Sequence, residues 1–210
     1  MQESIELFSI LRTTRAIERC NVAVVVIDAV EGLERQDMKV IVEAADKRKG
    51  LVIAVNKWDL VEKETMTSKH FEDAIHEKLP TFDYIPIIFV SAVSKQRLVK
   101  LIELAKEVEA ERHKRIPTSQ LNDVILAAIK STPPPSVHGR DLRINFIQQP
   151  QAAPPVFLCY TNHPELVPDN YARYLEGVIR KHYEFKGVPI TIVFKAKSKQ
   201  KEGTYKTTLG

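Results

Sequence analysis

Hydrophobic and polar positions along the first half of the chain follow the pattern of helices separated by buried strands. Apolar residues recur at helical spacing in four segments, 3–19, 33–49, about 68–79 and 95–113. Three continuous apolar runs lie between them, VAVVVIDA at 22–29, LVIAV at 51–55 and PIIFVSA at 86–92. Such runs are typical of parallel strands buried on both faces. The order α-β-α-β-α-β-α predicts a doubly wound parallel sheet, with Gly50 as the C-cap of the second helix.

The pattern changes near residues 114–118, where Pro117 and a candidate N-cap, Thr118 or Ser119, begin a new unit. Two alternating or apolar runs and two amphipathic segments follow, with helices at 119–131 and 169–183 and strands at 142–151, 155–162 and 188–196. The order α-β-β-α-β predicts a small α+β domain whose first hairpin is made irregular by prolines. We therefore expect domains at 1–114 and 115–197, and a polar basic tail at 198–210.

Composition is ordinary for a soluble globular protein, with 44% hydrophobic and 28% charged residues. No apolar run is long enough to cross a bilayer, and no signal peptide is recognised at the N-terminus. Cys20 and Cys159 are the only cysteines, which favours a reducing compartment, and we expect the cytoplasm. The six histidines share no ligand-like spacing, so no metal site is predicted.

Charge is distributed unevenly along the chain. Residues 1–114 carry 18 Lys and Arg against 20 Asp and Glu, whereas residues 115–210 carry 13 against 7. Two interpretations stay open: the C-terminal half meets an anionic partner, or it has a solvated basic surface.

A polar motif follows the second strand directly. Asn56-Lys57-Trp58-Asp59 comes at its end, and Ser91-Ala92 comes at the end of the next strand. Ligands of open parallel sheets bind beyond the carboxyl ends of the strands, so both loops are expected at one site.

This combination matches the chemistry of guanine. The Asp59 carboxylate can accept two parallel hydrogen bonds, from the N1–H and the exocyclic amine of guanine, whereas adenine offers an acceptor at N1. Asn56 is expected to reach the other edge of the base or to tether a neighbouring loop. The stem of Lys57 is expected to cross the purine with its ammonium in water, the Ala92 N–H to approach guanine O6, and Ser91 to brace the loop. The alternative is a chance surface turn with three matching positions.

The segments VVVIDAVEG, NKWD and FVSAVSK, followed by the α+β unit, resemble the translation-factor-type GTPases. The resemblance is closest to the second GTPase domain and KH-like C-terminal domain of the Der (EngA) family, and it covers nearly the whole chain. It implies a P-loop GTPase fold, GTP or GDP as ligand and a role in assembly of the large ribosomal subunit. The implied partners are the large subunit or its rRNA, and the first GTPase domain of such a protein.

The chain departs from this family in lacking G-x-x-x-x-G-K-[ST], D-x-x-G and a recognisable switch I threonine. We therefore expect the C-terminal part of a longer protein in which the phosphate-binding half of the GTPase domain is absent. No catalytic residue is assigned, Mg²⁺ is expected only in the intact parent, and this chain alone should not hydrolyse GTP. Asp28 ends a Walker-B-like strand, but the resemblance implies a structural role for it.

The KH-like unit also lacks the G-x-x-G clamp of RNA-binding KH domains. Its basic residues are still candidate rRNA contacts: Arg140, Arg143, Arg173, Arg180, Lys181, Lys195, Lys197 and Lys199. Two alternatives stay open. The chain is a non-enzymatic module that binds rRNA or a protein, or it dimerises to cover exposed strand edges.

Overall fold

The computed structural model describes residues 2–62 and 68–196, which form two α/β units. The first contains α1 (Gln2–Arg19), β1 (Val22–Asp28), α2 (Arg35–Asp46), β2 (Gly50–Asn56), α3 (Ser68–Lys78), β3 (Ile87–Phe89) and α4 (Leu98–Arg112). The second contains α5 (Thr118–Ser131), β4 (Ile144–Gln151), β5 (Val156–Thr161), α6 (Asp169–Tyr183) and β6 (Thr191–Ala196). Short 3-10 helices follow β2 and β5, at Trp58–Leu60 and Pro164–Leu166. None of the described helices is both long and apolar enough to cross a membrane.

The first sheet is parallel, as predicted, and its strand order is β1-β2-β3. The central strand β2 is buried from Gly50 to Val55 because it has a neighbour on each side and helices on both faces. The expectation of burial on both faces is wrong for β1. Val25 and Ile27 are buried, but Val24 and Val26 on the opposite face are 37% and 57% exposed. β1 is therefore an edge strand of the described sheet, with one face partly uncovered.

Gly50 is not the helix C-cap that the sequence predicted. Helix α2 ends at Asp46, and Arg48 adopts the positive φ of 55° in the connection. Gly50 instead begins β2 and is buried, and a Cβ there would lie 2.7 Å from Val108 Cγ1 in α4. The glycine is needed because α4 crosses the start of β2 too closely for any side chain.

The second sheet pairs β4 with β5 antiparallel and β5 with β6 parallel. The hairpin between β4 and β5 is irregular as predicted, with a register shift between Gln148 and Gln151 and a cis peptide bond before Pro154. Helices α5 and α6 cover one face of this sheet, where Phe157 and Cys159 are fully buried.

The two units share one hydrophobic core. Val52 and Val108 of the first belong to the same buried cluster as Leu121, Phe157 and Leu175 of the second. The domains are therefore packed against each other through apolar side chains, in addition to being joined by the chain.

Backbone hydrogen bonds cross the same interface at Gly187. Its carbonyl accepts from the Leu51 N–H at 2.7 Å, and its own N–H donates to the Tyr84 carbonyl at 2.7 Å. Gly187 has a φ of 68°, and a Cβ there would lie 2.6 Å from both the Leu51 oxygen and a methyl of Val108. Only glycine fits this position without strain.

Candidate functional site

The site is built at the carboxyl ends of β2 and β3, which adjacent pairing brings to one edge of the sheet. Val90 N–H donates to the Val55 carbonyl at 2.8 Å, and Trp58 N–H donates to the Val90 carbonyl at 3.1 Å. The two loops that leave these strands are thereby held together from their first residues.

Trp58 packs the motif against the hydrophobic core of the first unit. Its buried indole lies 4.2 Å from the Phe89 ring and 5.8 Å from the Phe71 ring, centroid to centroid. The neighbouring Lys57 and Asp59 are exposed. Sequence reasoning assigned no role to Trp58, although an aromatic residue between a lysine and an aspartate is a sign that the turn is packed from inside.

Asn56 joins the two loops directly. Its Oδ1 accepts a hydrogen bond from the Ala92 N–H at 3.0 Å, so of its two expected roles the structure places it in the tethering one. The Ala92 N–H, expected to face guanine O6, is engaged by Asn56 in this structure. Ser91 is fully buried and its Oγ accepts from the Ser94 N–H at 3.1 Å, which braces the second loop.

Lys57 connects the motif to β1. It adopts a left-handed conformation with φ of 61°, and its ammonium pairs with the Asp28 carboxylate. The Lys57 side chain is 53% exposed, so the ammonium pairs with Asp28 while it still faces solvent. Asp28 Oδ1 also accepts the Val30 N–H at 2.9 Å. The hydrogen bond from Lys57, followed by that from Val30, lowers the pKa of Asp28, in keeping with a structural carboxylate.

The Asp59 carboxylate is the polar group of the motif that remains available. Asp59 is exposed and lies in the 3-10 helix Trp58–Leu60. Within residues 2–62 and 68–196, no group forms a hydrogen bond or ion pair with it. The scaffold of the site is therefore held in place by Asn56, Lys57, Trp58 and Ser91. Asp59 is the hydrogen-bond acceptor that this scaffold presents to solvent.

The basic residues of the second unit do not form one patch. Arg140, Arg143, Arg173, Lys181 and Lys195 are exposed, and Lys197 and Lys199 lie outside the described residues. Arg173 and Lys181 are on the solvent side of α6. Lys195 lies opposite Tyr160 in the strand register, on the face of the sheet that the helices leave open.

Arg180 lies at the interface between the two units. Its side chain is 14% exposed, its guanidinium carbon is 3.8 Å from the centroid of the Tyr84 ring, and it pairs with Glu176 at 2.8 Å. Its Nη1 also donates to the Val188 carbonyl at 3.1 Å. These contacts occupy the side chain within the protein, so we leave Arg180 out of the candidate RNA contacts.

Comparison with protein families matches both units. Residues 9–111 match the elongation factor Tu GTP-binding domain, and residues 115–195 match the KH-domain-like C-terminal unit of EngA bacterial GTPase enzymes. A relative named "GTPase Der" from Chloroherpeton thalassium is 45% identical over 94% of this chain, and one from Chloroflexus aggregans is 44% identical over 96%.

The chain spans 45% of the length of these two curated relatives. Among solved structures, translation elongation factor SelB from Methanococcus maripaludis, in complex with the GTP analogue GPPNHP, aligns with a TM-score of 0.43 and 20% identity. That alignment covers 50% of this chain and 23% of SelB.

Proposed function

We propose that this chain, which belongs to the family of the GTPase Der, supplies the guanine-reading half of a GTP-binding domain. In this proposal it acts within a longer cytoplasmic GTPase that assists assembly of the large ribosomal subunit. The family relationship, the position of NKWD at the sheet edge and the basic C-terminal unit support it.

The observation that carries the proposal is the hydrogen bond between Asn56 Oδ1 and the Ala92 N–H. It fixes the NKWD turn against the Ser91-Ala92 loop, while the Asp59 carboxylate stays accessible. A fixed carboxylate beside a polar loop is suited to the two adjacent donors of guanine. The cost of ordering the site is then small when the base binds.

Phosphate binding requires groups that the sequence of this chain does not contain. It has no glycine-rich phosphate loop followed by Lys and Ser or Thr, so nothing in it would cradle the β- and γ-phosphates or hold Mg²⁺. We therefore propose that the chain alone binds GDP weakly and does not hydrolyse GTP. In the described sheet, β1 has a partly uncovered face, with exposed Val24 and Val26, and a free edge. Both are suited to packing against the phosphate-binding half of the proposed GTP-binding domain.

Calorimetric titration of the chain with GDP, ADP and XDP tests the base-reading site. We expect weak binding of GDP and none of ADP. Asp59→Asn should weaken GDP binding by about tenfold or more, because hydrogen bonds to a charged group are worth roughly 1.5–3 kcal/mol. The same variant should bind XDP more tightly than the parent does. Xanthine has a carbonyl in place of the guanine amine, and the introduced amide offers one donor for that carbonyl and one acceptor for the neighbouring N–H.

Glu62→Gln is the matched control, since it removes one exposed carboxylate three positions away and should leave GDP binding unchanged. Equal heats for GDP and ADP, or an Asp59→Asn variant that binds GDP like the parent, would contradict guanine recognition. Release of phosphate from GTP by the purified chain would contradict the proposed lack of hydrolysis.

The exposed basic residues favour RNA as a second ligand. The alternative function, a non-enzymatic binding module, would use the same ligand. Binding carried by Arg140, Arg143, Arg173, Lys181 and Lys195 should weaken steeply with added salt, because phosphate contacts release counterions. It should survive Asp59→Asn, which separates it from guanine recognition. A protein partner instead of RNA is the alternative outcome of this test.

A further inference from the structure

The open face of the second sheet carries two neighbouring aromatic rings. Phe146 of β4 and Tyr160 of β5 are paired across the strands, with ring centroids 5.8 Å apart and planes tilted by 41°. Helices α5 and α6 pack on the other face, so Phe146 remains 40% exposed. An aromatic ring left this exposed on a sheet face contributes little to the core and is available to a ligand.

The two rings border a groove of about 600 Å³. Its lining residues are Asn145, Phe146, Tyr160, Thr161, Asn162 and Ala196. The Gln148 amide donates to the Tyr160 hydroxyl at 2.9 Å, which fixes the orientation of that ring. The groove is thus partly preformed, and among the described residues none of those that line it carries a negative charge.

Positive charge borders the aromatic rings. Lys195 of β6 is paired with Tyr160 in the register of the sheet and is exposed. Arg143 is exposed, and its backbone N–H donates to the side chain of the lining residue Asn162 at 2.8 Å. Asp141 is the acidic neighbour at that end, and its carboxylate accepts from the Ser136 hydroxyl at 2.7 Å.

We propose that this face, the aromatic platform formed by Phe146, Tyr160 and Lys195, binds unpaired RNA nucleotides. The bases would stack on the two rings, and Lys195 and Arg143 would contact the flanking phosphates. Adjacent rings beside a cation match the requirements of single-stranded nucleic acid, in which every base offers a flat face and every linkage a negative charge. A duplex keeps its base faces stacked and cannot use the rings.

Charge favours RNA over an apolar peptide as the occupant. A peptide would use the rings but would leave Lys195 and Arg143 without a counter-charge, whereas a polyanion satisfies both. The sequence after Ala196 continues with Lys197, Lys199 and Lys201, which adds positive charge to the chain beyond β6. This inference rests on the RNA part of the proposed function and is independent of guanine recognition.

Fluorescence anisotropy with a labelled oligouridylate of about 12 nucleotides tests the platform on the whole chain. Phe146→Ala should weaken binding by about fivefold to a hundredfold, the range measured for loss of one stacked base. Phe146→Leu keeps apolar bulk without a ring and should weaken binding similarly, whereas Phe146→Trp should bind at least as tightly as the parent. Lys195→Gln should lower the slope of log affinity against log salt by about one.

Four results would each overturn the inference: no RNA binding, equal affinity for a duplex of the same length, parental affinity in Phe146→Leu, or parental affinity in Phe146→Ala. Parental affinity in Phe146→Ala with lost affinity in the double variant Arg173→Gln/Lys181→Gln would mean that RNA binds at helix α6 and not at the platform. Circular dichroism verifies that the variants fold. GDP titration of Phe146→Ala should equal that of the parent, so the platform and the guanine site can fail separately.

Discussion

Asn56 has a structural role in the candidate site. Its Oδ1 accepts a hydrogen bond from the Ala92 N–H and so connects the two loops at the sheet edge. Asn56→Ala removes this acceptor, whereas Asn56→Asp keeps an oxygen in its place. We expect the amide of Ala92 to exchange about fivefold faster in Asn56→Ala, since a hydrogen bond contributes about 1 kcal/mol, and to stay protected in Asn56→Asp. Hydrogen exchange followed by NMR measures this difference. Equal protection in both variants would mean that the tether does not hold the loop.

Cys159 makes stability depend on pH in the alkaline range. Burial raises the pKa of its thiol from the ordinary value of 9.0 to about 12. Above about pH 9 the unfolded chain loses this proton while the folded chain keeps it, so the free energy of unfolding falls as pH rises. Cys159→Ala should make the decline between about pH 9 and 10 shallower in urea titrations.

At the scale of elements, Gly187 is the position where the second unit touches the start of β2. Gly187→Ala should lower the free energy of unfolding by about 2 kcal/mol or more, because its φ is 68° and the new Cβ would overlap the Leu51 oxygen and Val108. Gly177→Ala is the matched control in α6, where a Cβ meets nothing within 4 Å. It should raise stability by roughly 0.5–1 kcal/mol. Urea unfolding of both variants provides the comparison, and a neutral Gly187→Ala would contradict the close fit.

Periodicity predicted which elements form, since each depends on residues adjacent in sequence. It predicted the parallel first sheet and the α-β-β-α-β order of the second unit. It was wrong where a residue distant in sequence decides the outcome. Gly50 is buried against Val108, 58 positions away, and Val24 is partly exposed because the described elements leave one face of β1 partly uncovered. In the candidate site the motif predicted that the NKWD and Ser91-Ala92 loops lie together. The pairing of Lys57 with Asp28, and of the Ala92 N–H with Asn56, could be seen only in the folded structure. Arg180 shows the same limit, because its ring partner Tyr84 belongs to the other unit.

For the whole molecule, the shared core predicts that the two units unfold together. Val52 and Val108 are buried among residues of the second unit, and the Gly187 hydrogen bonds and the Arg180–Tyr84 contact cross the same interface. Separating the units would expose these groups to water at a cost in free energy. One cooperative transition is therefore expected, although the sequence divides into two family domains.

Two reporters in different units can test this coupling. Trp58 is the only tryptophan and lies in the first unit, whereas the buried Cys159 thiol lies in the second. We expect the shift of Trp58 emission and the labelling of Cys159 to share one urea midpoint. Arg180→Ala should lower both midpoints together by an amount equivalent to about 1–2 kcal/mol, since it removes a cation–ring contact and a hydrogen bond. The neighbouring Lys181→Ala should lower neither, because Lys181 is exposed. Labelling of Cys159 at lower urea than the Trp58 transition would mean that the second unit opens independently and that the interface does not couple the domains.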